Sequence, residues 1–178
     1  EYSICAHLAK QVNEINNSEL VFPANEDDKI YTIENFIAAN HVATCSLVFK
    51  KSDYCYEEWL LKSPFGDWPL ILIVMLKSNN KLMVLRDIMS IYRIHSGGIH
   101  GQYSQSDNQG KILDSNLHLQ FIYLFEKHLA KERFKTFILR KKLKTLSNLI
   151  KLTRNNNISQ NIKYKSHYYY IKVKNRIL

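Results

Sequence analysis

The chain has little with which to build a cross-linked or metal-bound scaffold. Its three cysteines, Cys5, Cys45 and Cys55, form an odd set with no C-x-x-C pair. A disulfide framework and a zinc site are therefore both disfavoured, and reduced thiols in a cytoplasmic protein are expected. Cys5 and Cys45 lie in apolar, strand-like runs, where cysteine acts as a small hydrophobe. The longest apolar run, Trp68 to Leu76, is interrupted by Pro69 and falls far short of the roughly 20 residues a spanning helix needs. No secretory signal is visible. G-x-G-x-x-G, Walker, H-E-x-x-H and G-x-S-x-G motifs are absent, so Rossmann dehydrogenases, P-loop enzymes, zincins and α/β-hydrolases lose their usual warrant.

Acidic residues are also scarce in one part. Residues 126–178 hold 15 Lys and Arg against two Asp and Glu, a balance of +13. Residues 1–125 hold 10 against 14, a balance of −4. The basic character thus belongs to the C-terminal region alone, and the two regions pose different questions. A hydrophobic content of 46% with 12% aromatics indicates a folded chain rather than a disordered one. The length of 178 residues suits one domain or part of a larger one. The sequence opens on Glu1, with a strand already under way at Tyr2-Ser-Ile-Cys-Ala, and is read as a region of a longer protein.

Along the chain, Tyr2 to Leu8 reads as a strand, and Asn13 to Asp28 as a polar excursion. Thr32 is an N-cap for a short helix whose apolar face is Ile33, Phe36 and Ile37. His41 to Phe49 is β-rich and predicts a buried strand. Asp53 to Leu61 predicts a short helix. Gly66-Asp67 opens a second one through about Lys77, with Pro69 tolerated in its first turn and an almost wholly apolar body. Asn79-Asn80 ends it. Lys81–Leu85 and Ile88–Ile94 read as two strands, Gly97-Gly98 as a turn, and 103–110 as a polar loop. From Ser115 the apolar residues recur at helical spacing, giving one long helix or two as far as Asn155, followed by a basic, aromatic tail at Tyr168 to Asn175. The expected organisation is α/β: a partial mixed sheet with flanking helices over residues 1–110, then a basic helical extension over 111–178.

Several side chains here can carry chemistry. Asp67, at the start of an apolar helix, can cap that helix, or it can act as a general base toward an incoming hydroxyl if it faces solvent. Trp68 can pack in the core or stack on a sugar ring. His95, at a strand end before Ser96-Gly97-Gly98, is either a surface histidine or a ligand for a divalent ion or phosphate. His100 competes with it at lower rank. Arg93 can grip a phosphate bidentately or form a salt bridge, and Tyr92 suits a core or cleft wall. His41 and Thr44 flank one strand entry, where they can line the same cleft or make structural hydrogen bonds. Asp27-Asp28 looks like a metal pair but lies in an acidic loop.

Taken in order, these pieces resemble the C-terminal half of a family 2 glycosyltransferase domain of the GT-A type. Ala43-Thr-Cys-Ser-Leu-Val-Phe-Lys, Gly66-Asp67-Trp68, Lys81 to Leu85 and Tyr92-Arg93-Ile94-His95-Ser96-Gly97-Gly98 stand in that family's order and spacing, over residues 1 to about 100. The resemblance implies transfer of a sugar from a nucleotide-sugar donor to a hydroxyl of a glycan or lipid-linked acceptor, as in cell-surface polysaccharide synthesis. It implies Asp67 as general base and Trp68, His41 and Thr44 on the acceptor side. Arg93 and His95 would lie near the donor diphosphate, with His95 near its Mg or Mn ion. The family's donor-side Asp-x-Asp does not occur in these residues, so the chain alone is expected to be inactive.

The basic region has its own readings. Arg140-Lys141-Lys142, Lys144, Lys151 and Arg154 border an apolar stripe, so residues 126–178 can lie on an anionic membrane at the inner, cytoplasmic face or pack against the domain. Nucleic acid is a third partner class, disfavoured by the acidic N-terminal region and the lack of a recognition motif. The rival to the enzyme reading is a non-catalytic module whose basic helices dock on anionic lipid or nucleic acid.

Overall fold

Alternation of Ile4, Ala6 and Leu8, all buried, builds the first strand, β1 (Ile4–Asn13), which organises a mixed five-stranded sheet. The computed structural model describes residues 2–24, 27–51, 57–98, 108–129, 132–154 and 157–176. Contacts divide the chain into two compact units, Glu1–Gly101 and Gln102–Leu178.

In the first unit, β1 pairs antiparallel with β2 (Ser18–Phe22) through a turn at Glu14–Asn17. The polar excursion expected from Asn13 is thus partly a hairpin. Its Asn-rich turn hides the strand signal: Asn13 Oδ1 accepts the Ile15 N–H at 3.0 Å, and Asn17 takes φ 54°, a conformation asparagine tolerates. β3 (Lys29–Thr32) leads into α1 (Ile33–Ala38), where Asn35 Oδ1 accepts the Thr32 N–H at 2.9 Å.

His41 to Phe49 is not a buried strand. It forms a 3-10 turn, Thr44–Ser46, and a two-residue strand, β4 (Val48–Phe49), paired with Ile4 and Cys5 of β1. β2 already occupies Ala9–Asn13 of β1, and Ser46 Oγ donates to Ala43 O at 2.8 Å, closing a local turn instead. Another 3-10 segment covers Glu58–Lys62; the rest of the predicted helix, at 53–56, lies outside the described residues.

Helix α2 (Asp67–Lys77) follows. Ile71 through Met75 are all buried, so it is enclosed on every side, as its composition requires. It ends where Asn80, at φ 60°, donates its N–H to Met75 O at 3.1 Å. Asn80 O in turn accepts the Ile33 N–H at 3.0 Å, joining the end of α2 to the start of α1.

The two strands expected next are one, β5 (Lys81–Ile94), which runs parallel to β1 and antiparallel to β3. Its register against β1 shifts on both sides of Leu8, so β5 carries three more residues than β1 between the first and last pairs. The shift explains why Leu8 and Ala9, although adjacent, are both buried. It also explains Asp27-Asp28: Asp28 Oδ1 accepts the Arg86 N–H at 2.8 Å within the bulge, and Asp27 lies 4.0 Å from the Arg86 guanidinium. That pair serves the irregularity in β5.

The second unit comprises α3 (Asn108–His128), a 3-10 turn at Glu132–Phe134, α4 (Lys135–Thr153) and α5 (Ile158–Lys174). α3 packs on α4, and α4 on α5. α3 begins before the boundary expected at 110, and the segment expected as a tail is helical. Leu119, Phe121, Ile122, Phe125, Phe134, Ile138, Leu146 and Leu149 form the core, while Phe137 points to solvent. Polar groups complete it. Lys142 is buried and pairs with Glu126, its ammonium 4.1 Å from the Tyr123 ring centroid. The Tyr123 hydroxyl meets His167 Nε2 at 2.7 Å. Asn161, buried at the α4–α5 junction, donates to Ile150 O at 2.7 Å and to Thr153 Oγ1 at 3.1 Å. No described helix is long and apolar enough to cross a membrane.

Candidate functional site

Asp67 is the first residue of α2, and Gly66 occupies the cap position. It is half-buried rather than sealed in the fold. Its Oδ2 accepts the Thr44 hydroxyl at 2.6 Å and the Asn40 amide at 3.2 Å, while Oδ1 accepts the Trp68 N–H at 2.7 Å. Two donors on one oxygen fix the plane of the carboxylate. Thr44 and its neighbour Cys45 are exposed, so solvent reaches this side.

β5 supplies the opposite wall. Ser90 and Tyr92 lie two residues apart and so share one face of the strand. Ser90 Oγ is 3.3 Å from Cys45 Sγ. The Tyr92 hydroxyl is held above its ordinary range, first by burial and then by the nearby charges of Asp67 and Cys45. Tyr92 therefore stays a neutral phenol at physiological pH. Cys45 is a small polar surface group here, not a core residue, and both Cys5 and Cys45 carry free thiols.

The other expected site residues separate from this cluster. Trp68 is 3% exposed, and its Nε1 donates to Phe36 O at 2.6 Å. Its ring belongs to the core between α1 and α2 and presents no face to a sugar. His41 stacks on Tyr31 at 4.9 Å between centroids, and its Nε2 lies 3.1 Å from Asn35 O, so it braces α1 against β3.

At the far end of β5, Arg93 Nε donates to Glu14 Oε1 at 2.8 Å on an exposed edge. Glu14 is held below the usual carboxylate range, first by that hydrogen bond and then by the charges of Arg93 and His95. A phosphate reaching Arg93 would have to displace Glu14. His95 is exposed above the turn in which Gly98 N–H donates to His95 O at 3.0 Å. A Cβ on Gly98 would come within 3.3 Å of His95 Nε2, so the ring lies close over this turn. His95 stands three residues beyond Tyr92, roughly 10 Å along a strand.

Among the described residues, no three His, Cys, Asp or Glu side chains converge as a metal site. Glu14, the carboxylate beside His95, is engaged by Arg93. His100 lies outside the described residues.

Asn40 and Cys45 were not legible as site residues. Asn40 reaches Asp67 across 27 positions and Cys45 reaches Ser90 across 45, separations that no local pattern encodes. No protein-family model matches the chain, and no curated protein matches it significantly.

Proposed function

We propose that this chain is the acceptor side of a glycosyltransferase, with Asp67 as the general base. The supporting observation is the half-buried Asp67 carboxylate, fixed in plane by Thr44 and Asn40 beside an exposed turn. A base for a weakly acidic hydroxyl needs a held orientation, access from solvent, and a partner that steers the acceptor. Thr44 and Asn40 provide the first, the exposed Thr44–Cys45 turn the second, and the neutral Tyr92 phenol the third. The resemblance of the ordered motifs to family 2 enzymes supplies the reaction type and the GT-A-like character of the sheet.

In the proposed step, the acceptor oxygen attacks the anomeric carbon of a nucleotide-sugar as its proton passes to Asp67 and the nucleoside diphosphate leaves. The acceptor is a glycan or lipid-linked hydroxyl. Thr44 and Asn40 are positioning residues, and Trp68 and His41 support the fold around the site. His95 is retained as a diphosphate contact because it is exposed. Arg93 is not, given its bond to Glu14. Apart from His95 at the diphosphate, no residue of this chain is assigned to the metal and nucleotide half of the reaction.

The test is sugar transfer by the full gene product carrying Asp67→Asn. Loss of about 10²–10⁴-fold in turnover is expected for removal of a general base, with nucleotide-sugar affinity unchanged. Retained turnover rejects the role.

A further inference from the structure

The inner side of α5 is accounted for by Asn161, Tyr164 and Ile171, which are buried against the rest of the helical unit. Its outer side is not polar, as an ordinary solvated face would be. Ile158 is 75% exposed, Ile162 59%, Tyr169 62%, Tyr170 61% and Val173 78%. With about 100° per residue, positions 158, 162, 169 and 173 fall within roughly 60° of one another, a single stripe about 22 Å long. Lys165 and Lys172 border it on one margin, and Lys163 and Lys174 on the other. Helix α5 contains no Asp or Glu.

We infer that this outer face of α5 is a docking surface for an anionic lipid bilayer. Four large apolar groups in line, flanked by ammonium groups on long stems, match an interface with hydrocarbon beneath and phosphates at its edges. Tyr169 and Tyr170 add rings suited to the headgroup level. The charge pattern also sets aside the other occupants. A second copy of the helix would bring lysine margins against lysine margins with no carboxylate to pair them. A nucleic acid would need cations along the centre of the contact, whereas Ile158, Ile162, Tyr169 and Val173 hold the centre here and the lysines stand at its margins. The inference is independent of the proposed transferase activity.

The test is co-sedimentation of the 178-residue chain with vesicles of pure phosphatidylcholine and of phosphatidylcholine with about one third phosphatidylserine. Binding is expected only to the anionic vesicles and to weaken as salt is raised. Ile162→Ser with Val173→Ser should weaken it by on the order of tenfold or more. Lys163→Gln, Lys165→Gln, Lys172→Gln and Lys174→Gln together should abolish the preference for anionic lipid. Both variants change solvent-facing side chains, so their melting curves should match that of the unmodified chain, which separates lost binding from lost folding. The inference is overturned if the chain does not bind anionic vesicles, or if either variant binds them as before. A concentration-dependent dimer or an oligonucleotide complex that the Ile162/Val173 variant abolishes would assign the face to that partner instead.

Discussion

The Lys142–Glu126 pair offers a sharp test of how the helical unit is held together, because its two charges are unequally buried. The Lys142 side chain is 8% exposed and that of Glu126 44%. In Glu126→Ala, an ammonium remains in the helical core without its carboxylate, facing the Tyr123 ring 4.1 Å away. Removing one partner of a buried pair costs about 3–5 kcal/mol. Solvent screening at the half-exposed carboxylate lowers the expectation to about 2–3 kcal/mol. For a unit of this size that is a melting-point drop of roughly 10–20 °C. In Lys142→Met, the apolar stem is kept, the buried charge disappears and Glu126 turns to water. The expected cost is within about 1 kcal/mol of zero. Urea unfolding followed by far-UV circular dichroism measures both, since helices dominate the signal. A larger loss for Lys142→Met than for Glu126→Ala would refute the reasoning.

Other expectations are equally direct. His118 is held below its ordinary value of 6.5 by burial and then Lys141, against the pull of Asp114, and His167 by burial and then Lys142 and Lys163. Their neutral forms stabilise the fold above pH 6.5, and that stability is lost as pH falls through the lowered values, so the unfolding midpoint should drop from pH 7 to 5. Lys141 is lowered to about 8 by burial and then Lys144, whereas Tyr123 is raised to about 12 by burial and then Glu126. Stability should therefore recover as pH rises from about 8 toward 10 and decline above 10 as Tyr123 becomes the dominant ionisation; a flat profile would contradict these environments. Trp68→Phe leaves Phe36 O without its indole donor and should cost about 1–3 kcal/mol by chemical denaturation. A neutral result would deny the ring its core role. Thr44→Val should lower turnover of the full gene product by less than Asp67→Asn does, with donor affinity unchanged. An effect confined to KM would make Thr44 a binding group rather than a positioning one.

Much of the fold was legible where one physical signal dominated. The apolar body of α2, its Asp-Trp-Pro opening and its Asn79-Asn80 end gave the helix its observed bounds. Thr32 and the Ile33–Phe36–Ile37 face did the same for α1. The misses arose where tertiary pairing overrode local pattern. His41–Phe49 has strand composition, but β2 holds most of the edge of β1 it would need. β5 read as two strands because the polar Arg86-Asp87 interrupts its alternation, while the sheet absorbs them as a bulge. The helical extension was legible as such, but the bounds of α5 were not, because its inner face is partly polar, at Asn161 and Tyr164. At the candidate site, Asp67 and Thr44 were visible individually, but their 2.6 Å contact spans 23 residues. Trp68 misled because a tryptophan beside a carboxylate looks the same in sequence whether its ring faces a sugar or the core.

The most direct measurement of the base role compares acceptors of differing hydroxyl acidity in the full gene product. An ordinary sugar hydroxyl must lose its proton to Asp67, so Asp67→Asn should cost about 10²–10⁴-fold in kcat/KM. An acceptor acidic enough to ionise unaided needs no such help, and there the penalty should shrink by at least about tenfold. A penalty for Asp67→Asn of equal size with both acceptors would contradict proton removal by this carboxylate.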